Sequence, residues 1–271
     1  MTSNTLNNKA TRLFILLGGF FVANALIAEL IGVKIFSLEH TLGIAPLDLA
    51  FFGVEHLSFN LTVGVLLWPF VFVLTDIINE YYGKRGVQLL SYLTVGLIIY
   101  AFAMFFIGIH LVPADFWPQS HINPALPQAE QDNLRGLVSD YDAAFKLVFG
   151  QGLWIILGSL VAFLVGQIID VMVFHRVKEI TGERWIWLRA TGSTLVSQFI
   201  DSFVVLFIAF YIGADWSLQL VFAIGVVNYI YKFLMAVVMT PVLYGVHYLI
   251  EKYLGEELAS TLKQQALAGS E

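Results

Sequence analysis

The chain has 271 residues, 58% of them apolar and 13% charged, with a mean hydropathy of +0.79. Soluble domains are about 45–50% apolar and about 25% charged, so a soluble enzyme is excluded. The net charge of −6 and the scattered Lys and Arg leave no footprint for nucleic acid. The absence of cysteine excludes disulfides, thiolate catalysis and cysteine-bound metal.

A window of about 19 residues finds six apolar spans, at roughly 12–34, 57–79, 87–112, 149–174, 193–213 and 219–249. They predict an all-α polytopic membrane protein with six transmembrane helices in a single membrane domain, 1–271. The first run has the length of a signal peptide. It contains Asn24 and Glu29 and lacks a small-x-small cleavage site, so it reads as a span. Strands of a membrane barrel would alternate over about ten residues, which is not the pattern. The stretch 35–56 mixes Leu and Phe with Glu39, Asp48 and Glu55 and suits a short interfacial helix. The one long connection, 113–148, carries Pro113, Pro118, Pro124 and Pro127 among five acidic residues and reads as a lid or a disordered insert. The tail beyond Lys252 reads as a polar surface helix.

Basic residues set the expected orientation, because short loops rich in Lys and Arg stay in the cytoplasm. Lys9 and Arg12, Lys84 and Arg85, Arg176, Lys178, Arg184 and Arg189, and Lys252 and Lys263 fall on one side. Both termini are therefore expected in the cytoplasm and 113–148 outside. Trp117, Trp154, Trp185, Trp187 and Trp216 fall at interfaces, whereas Trp68 does not.

Ionisable groups inside spans are costly, about 2.5–3.5 kcal/mol at a helix centre, and so are functional candidates. Asp76, Asn79 and Glu80 share a face at i, i+3, i+4. Gly166-Gln167-Ile168-Ile169-Asp170 and Ser197-Gln198-Phe199-Ile200-Asp201 repeat a small-Gln-apolar-Ile-Asp pattern on neighbouring spans. At about 1.5 Å per residue, Asp170 and Asp201 lie about 6 and 12 Å from the cytoplasmic helix ends. Ser193, Thr194 and Ser197 extend the polar stripe of the fifth span. Asn228 and Lys232 add an i, i+4 pair, and Lys232 needs a carboxylate partner or water. Asn24 and Glu29 lie about 140° apart around the first helix.

Plainer readings exist for each group. Asp76 and Glu80 could pair with Lys84 or Arg85 at a solvated helix end, Gln167 and Gln198 could join helices, and Asp170, Asp201 and Lys232 could form a structural ion pair. The histidines, His40, His56, His110, His121, His175 and His247, show no metal-ligand spacing and read as interface residues. Gly18, Gly19 and Gly158 read as close-packing positions. A pair of aspartates could also serve an intramembrane aspartyl enzyme. The Gln, Asn and Lys around them favour reading a ligand edge, and the Gly-x-Gly-Asp sequence of presenilin-like proteases is missing. No ATP-binding motif is present.

The runs TDIINEYYGKR (75–85), VGQIIDVMVFHRVK (165–178), TGSTLVSQFIDSFVVLFIAF (191–210) and VNYIYKFLMAVV (227–238) resemble the queuosine precursor transporters, formerly grouped as vitamin uptake transporters. The resemblance covers residues 11–250. Gln167, Asp170, Ser193, Thr194, Asp201, Asn228 and Lys232 match its motifs, whereas the family varies where Gln198 stands. It implies a fold similar to the substrate-binding subunits of ECF transporters. It also implies an inner-membrane importer of the 7-deazaguanines preQ0 or preQ1 and, in some members, queuine, with no ATPase partner.

The chemistry agrees with such a nucleobase, which offers N–H donors to a carboxylate, a carbonyl to an amide or ammonium, and a flat ring for stacking. The expected substrate-binding residues are Gln167, Asp170, Thr194, Gln198, Asp201, Asn228, Lys232 and Asn24, with Phe174 or Tyr231 stacking. Asp76, Asn79, Glu80 and Glu29 are expected to serve coupling or gating. No catalytic residue, metal or cofactor is expected. The expected partners are the bilayer and the nucleobase, with a homo-oligomer left open. The alternative is an ECF-like binding subunit for another small vitamin, which needs an ATPase.

Overall fold

The computed structural model describes residues 9–150, 152–181 and 185–268, with no side-chain detail at 153, 186 and 268. Arg184, one of the expected loop cations, lies outside the described residues. In chain order the elements are α1 (Lys9–Ile31), β1 (Ile35–Ser37), α2 (Leu38–Thr41), β2 (Leu49–Phe51), β3 (Val54–Leu57), β4 (Asn60–Thr62), a 3-10 turn (Val63–Leu66) and α3 (Trp68–His110). Then follow α4 (Gln128–Leu137), α5 (Tyr141–Phe149), α6 (Leu153–Thr181), α7 (Ile186–Leu206), a π-helical turn (Phe207–Ile212), α8 (Leu218–Leu254) and α9 (Glu256–Ala268). Among the described residues, five helical stretches are long and apolar enough to cross a membrane: α1, α3, the stretch containing α6, α7 with its π turn, and α8. The chain is a multi-pass membrane protein.

Three expectations need correction. The fold is mostly helical but not all-α, because two antiparallel two-stranded ladders, β1 with β4 and β2 with β3, flank the short helix α2 that lies in the segment expected to hold one. The β2–β3 turn has only Phe52 and Gly53 between paired Phe51 and Val54, both at positive φ (55° and 76°). That is the primed turn geometry matching strand twist, and its usual Asn-Gly or Asp-Gly signature is absent from the sequence. The second span was expected from 57, but residues 60–66 are strand and 3-10 turn, so the helix starts at Trp68. The second and third expected spans are two helices that meet within 68–110 at the non-helical Gly83 (φ 68°, ψ −174°), with no loop between them.

The expected loop 113–148 holds two helices, α4 and α5. Residues 96–153 form a compact unit of their own. Within it the rings of Phe145 and Phe149 pack tilted at 4.7 Å between centres, those of His121 and Tyr141 at 4.6 Å, and Asp140 caps α5 by accepting from the Ala143 N–H at 2.6 Å.

The other unit contains the remaining helices. Its core is Leu13, Leu17, Phe21 and Ala25 of α1 against Val71, Ile77, Ile78 and Tyr81 of α3, Phe163, Val171 and Phe174 of α6, and Leu243, Ile250 and Leu254 of α8. Side-chain pairings give the helix directions. Thr75, Asn79 and Glu80 of α3 meet Gln167, His175 and Lys178 of α6 in rising order, so the first part of α3 runs parallel to α6. Asp201 meets Lys232 and Thr191 meets Thr240, so α7 and α8 are antiparallel. Gly158 brings α6 against α7, because a Cβ there would stand 3.1 Å from the Val205 carbonyl oxygen. Gly18 packs on Leu90, whereas Gly19 faces open space.

A second apolar cluster, Phe59, Leu61, Val227 and Tyr231, seats the β2–β3 hairpin and the β1–β4 ladder, together the hairpin region, on α8. Glu39, only 1% exposed, pins them: it accepts from the Phe59 N–H at 2.8 Å and from the Ser37 hydroxyl at 3.4 Å. Burial pushes its carboxyl up, but bonds from the backbone N–H groups of Phe59, Glu39 and Leu47 and from Ser37 outweigh this and hold it below its ordinary value.

Candidate functional site

A cavity lies between the first part of α3, α7 and α8. Trp68, Pro69, Phe72, Val73 and Asp76 line it from α3, Thr191, Thr194 and Gln198 from α7, and Tyr231, Lys232, Met235 and Thr240 from α8. The spacing explains the walls: Asp76 lies one helical turn beyond Phe72 and two beyond Trp68, and Thr191, Thr194 and Gln198 follow at three and four. The cavity is mainly apolar with a few polar groups, as a ligand-orienting site requires.

Two of those polar groups are incompletely bonded. Asp76, 4% exposed, accepts from Thr194 Oγ1 through Oδ2 at 3.5 Å, and its Oδ1 has no hydrogen-bond partner. Gln198, 3% exposed, has no partner for Nε2. Unbonded buried polar atoms are rare and costly, about 1–3 kcal/mol each, so an acceptor and a donor on the lining of one cavity point to a ligand carrying both complements. Lys232 forms an ion pair with Asp201, which supplies the carboxylate it needs. Trp68, the tryptophan outside the interfacial belt, packs on Phe163 at 5.5 Å between ring centres while lining the cavity.

Thr194, Gln198, Tyr231 and Lys232 of the expected binding set line the cavity together, and Asp76, expected to gate, joins them. Gln167 exchanges hydrogen bonds with Thr75 at 3.2 and 3.3 Å, adjacent to Asp76 but off the lining. Asp170 is fully buried and accepts from Ser197 at 3.1 Å. Phe174 is buried in the core with the Arg189 guanidinium 5.9 Å from its ring centre, so it does not line the cavity. Asn24 donates to the Phe20 carbonyl of its own helix, a local bond that leaves it off the lining. Asn228 is half-buried and also off the lining. Glu29 accepts from Ser159 of α6 at 2.9 Å.

Below Asp76 the polar face of α3 is filled by protein partners. Asn79 accepts from His175 at 2.8 Å when that ring nitrogen carries the proton. Glu80 is fully buried between Lys178 at 3.0 Å and Arg189 at 2.7 Å, not paired with Lys84 or Arg85, both of which are exposed. His247 is likewise internal, 3.1 Å from the Tyr81 hydroxyl. Sequence reasoning missed Trp68, Phe72 and Thr191 as lining residues. Trp68 carried a usable signal, its departure from the aromatic belt. Lys178 and Arg189 were assigned to a loop because helices α6 and α7 extend farther than the apolar runs do.

Relatives have the following names. Over 250 residues, 91% of each chain, the protein is 27% identical to the "Probable queuosine precursor transporter" of Haemophilus influenzae. It is 28% identical to the Bacillus subtilis protein of the same name over 71% of this chain and 74% of that one. It is 28% identical to the "Queuosine precursor transporter" of Escherichia coli over 71% of this chain and 75% of that one. No solved structure gives a significant match. The family model described as "Putative vitamin uptake transporter" matches residues 62–246, more than half of the chain and every residue that lines the cavity, and the protein belongs to that family.

Proposed function

We propose that the protein imports 7-deazaguanine precursors of queuosine across the bacterial inner membrane and holds them in the cavity between α3, α7 and α8. The names of its relatives support the substrate class. The observation that carries the reading is the incompletely bonded pair Asp76 and Gln198 on a cavity that also holds Trp68, Tyr231 and Lys232. A guanine-type edge presents adjacent N–H donors that Asp76 accepts, and a carbonyl that Gln198 Nε2 or Lys232 reaches. The flat ring stacks on Trp68 or Tyr231.

The chain crosses the membrane six times in this reading, with both termini in the cytoplasm. Parallel α3 and α6 need an odd number of crossings between them, and the part of α3 after Gly83 supplies one. Uptake runs on a gradient without an ATPase subunit.

The test is expression in bacteria lacking their own precursor transport and synthesis, with preQ0 or preQ1 supplied at low concentration and queuosine measured in tRNA. Restored modification that is lost in Asp76→Ala supports the reading. Confirmed membrane insertion without restoration rejects autonomous uptake of these bases and favours the ATPase-dependent vitamin subunit.

A further inference from the structure

We infer that the groove between α6 and the part of α3 after Gly83 binds one anionic phospholipid, with its phosphate on Lys84 and an ester carbonyl on the Ser91 hydroxyl. No residue lines both this groove and the cavity described above. Its place in the inner leaflet rests on the six-crossing reading; the chemistry of the site does not.

Lys84, Gln88 and Ser91 line the groove from α3, and Gln167 lines it from α6. The α3 residues stand at i, i+4 and i+7, so a cation, an amide and a hydroxyl follow one another along a single helix face. Gly83 separates two crossings, which puts Lys84 at the membrane surface, Gln88 about 6 Å farther in and Ser91 about 10 Å. The outer edges are apolar. Tyr92, Ile168 and Met172 form them and are at least half exposed, so the groove opens sideways to lipid.

Ser91 is the residue that calls for a ligand. It is 4% exposed, yet its hydroxyl has no hydrogen-bond partner. A hydroxyl inside a helix can donate to the carbonyl four residues back, as Thr75 does to Val71 at 2.9 Å and Ser202 to Gln198 at 2.7 Å, whereas Ser91 does not. Thr94, one turn on, is also buried without a partner but does not line the groove. Leaving a buried hydroxyl unbonded is costly, and a lipid-facing groove holds no bulk water to satisfy it.

The order of the groups selects the occupant. Lys84 is exposed and forms no ion pair among the described residues; Glu80 is held by Lys178 and Arg189, and Glu179 pairs with Arg176 at 3.5 Å. A free phosphate would meet Lys84 and leave Ser91 unbonded, and a purely apolar molecule would leave both. A diacyl phospholipid carries a phosphate, then ester carbonyls, then acyl chains, in the order of the groove. The headgroup layer is about 5–8 Å deep, close to the step from Lys84 to Gln88, and the Cβ of Ser91 tilts back toward Lys84. Basic pockets between membrane helices on the cytoplasmic side take anionic headgroups in this way.

The probe is phosphatidylglycerol, added to the full-length protein in detergent and read by native mass spectrometry. One retained molecule is expected, held more tightly than zwitterionic phosphatidylethanolamine. Lys84→Gln is expected to weaken binding about fivefold, and Ser91→Ala about 2–12-fold. Arg85→Gln removes an exposed cation that does not line the groove and is expected to change nothing. An equal loss in Arg85→Gln, or equal binding of phosphatidylethanolamine, means a general attraction of the basic face and overturns the site. Unchanged binding in Ser91→Ala puts the lipid outside the groove, and displacement by inorganic phosphate alone makes it a soluble-anion site; either result overturns the proposal. Thermal unfolding gives a second readout: phosphatidylglycerol is expected to raise the midpoint of the wild type and to raise that of Lys84→Gln less, and an equal rise in both overturns the role of Lys84. Neither measurement involves uptake, so the import reading stands or falls separately.

Discussion

Arg189 on α7 donates from Nη2 to Oε1 of Glu80 on α3 at 2.7 Å, while Lys178 on α6 holds the other oxygen of the same carboxylate at 3.0 Å. Three helices thus meet on one buried anion. Removing one partner of a buried ion pair costs about 3–5 kcal/mol, because it strands the other. Glu80→Gln is therefore expected to lower the midpoint of thermal unfolding in detergent well below wild type. Glu80→Gln combined with Arg189→Met is expected to recover part of the loss; a strictly additive double variant would show that the two groups do not interact.

Trp68 is expected to act on substrate affinity and not on folding. Trp68→Phe keeps an aromatic face on the cavity and is expected to leave uptake near wild type. Trp68→Leu keeps apolar bulk without the ring, and a stacking contribution of about 0.5–1.5 kcal/mol predicts an apparent KM raised about 2–12-fold. Uptake kinetics at matched expression decide it, and equal KM for all three proteins removes Trp68 from the site.

Gln198 supplies the donor that has no protein partner. Gln198→Ala removes it, and a hydrogen bond worth about 0.5–1.5 kcal/mol predicts a similar loss of affinity. Stability is expected to be unchanged or slightly higher, because an unbonded buried group disappears. Lower stability with unchanged KM would make Gln198 a structural residue.

Glu39 makes the seating of the hairpins dependent on acid. Its carboxyl is held below its ordinary value in the folded protein, so its contribution is complete above the unfolded glutamate range and is lost as pH falls through the folded value. Amide exchange at Phe59, whose N–H donates to Glu39, reports this directly. Protection is expected to hold from neutral pH down to the ordinary glutamate range and to fall below it. Glu39→Gln is expected to lose part of the protection at neutral pH and to lack the further fall in acid.

Gly83 breaks α3 at φ 68°, and a Cβ there would stand 2.8 Å from the Ala266 carbonyl oxygen of α9. Gly83→Ala meets both the cost of a positive-φ, extended-ψ backbone that is essentially confined to glycine, about 1–3 kcal/mol, and that clash. The expected result is an unseated α9, cut faster by protease after Gly255 than in wild type. Equal cleavage would show that α9 is held elsewhere, for example by the Lys263–Glu251 pair.

Much of the site was legible in the sequence because intramembrane polar residues are few and helical spacing is strict. Thr194 and Gln198 could be put on one face, and Lys232 could be said to need a carboxylate. What sequence spacing could not give was which face of each helix meets the next. Phe174 and Tyr231 looked equivalent as stacking rings, yet Phe174 is packed under Arg189 and Tyr231 lines the cavity. Asp76 and Glu80 looked like one functional pair, but one helical turn separates a cavity residue from an ion-pair centre. The hairpins were illegible for another reason. Their strands are three or four residues long, too short for alternation to show, and the β2–β3 turn uses Phe52 where asparagine or aspartate is usual.

Tyr231, Val65 and Met235 belong both to the cavity and to the apolar cluster that seats the hairpins on α8. Filling the cavity and ordering the hairpins are thus two readings of the same packing. A fluorescent label on exposed Glu55 of β3 would report occupancy from a distance, through the ring of Tyr231, without touching the ligand.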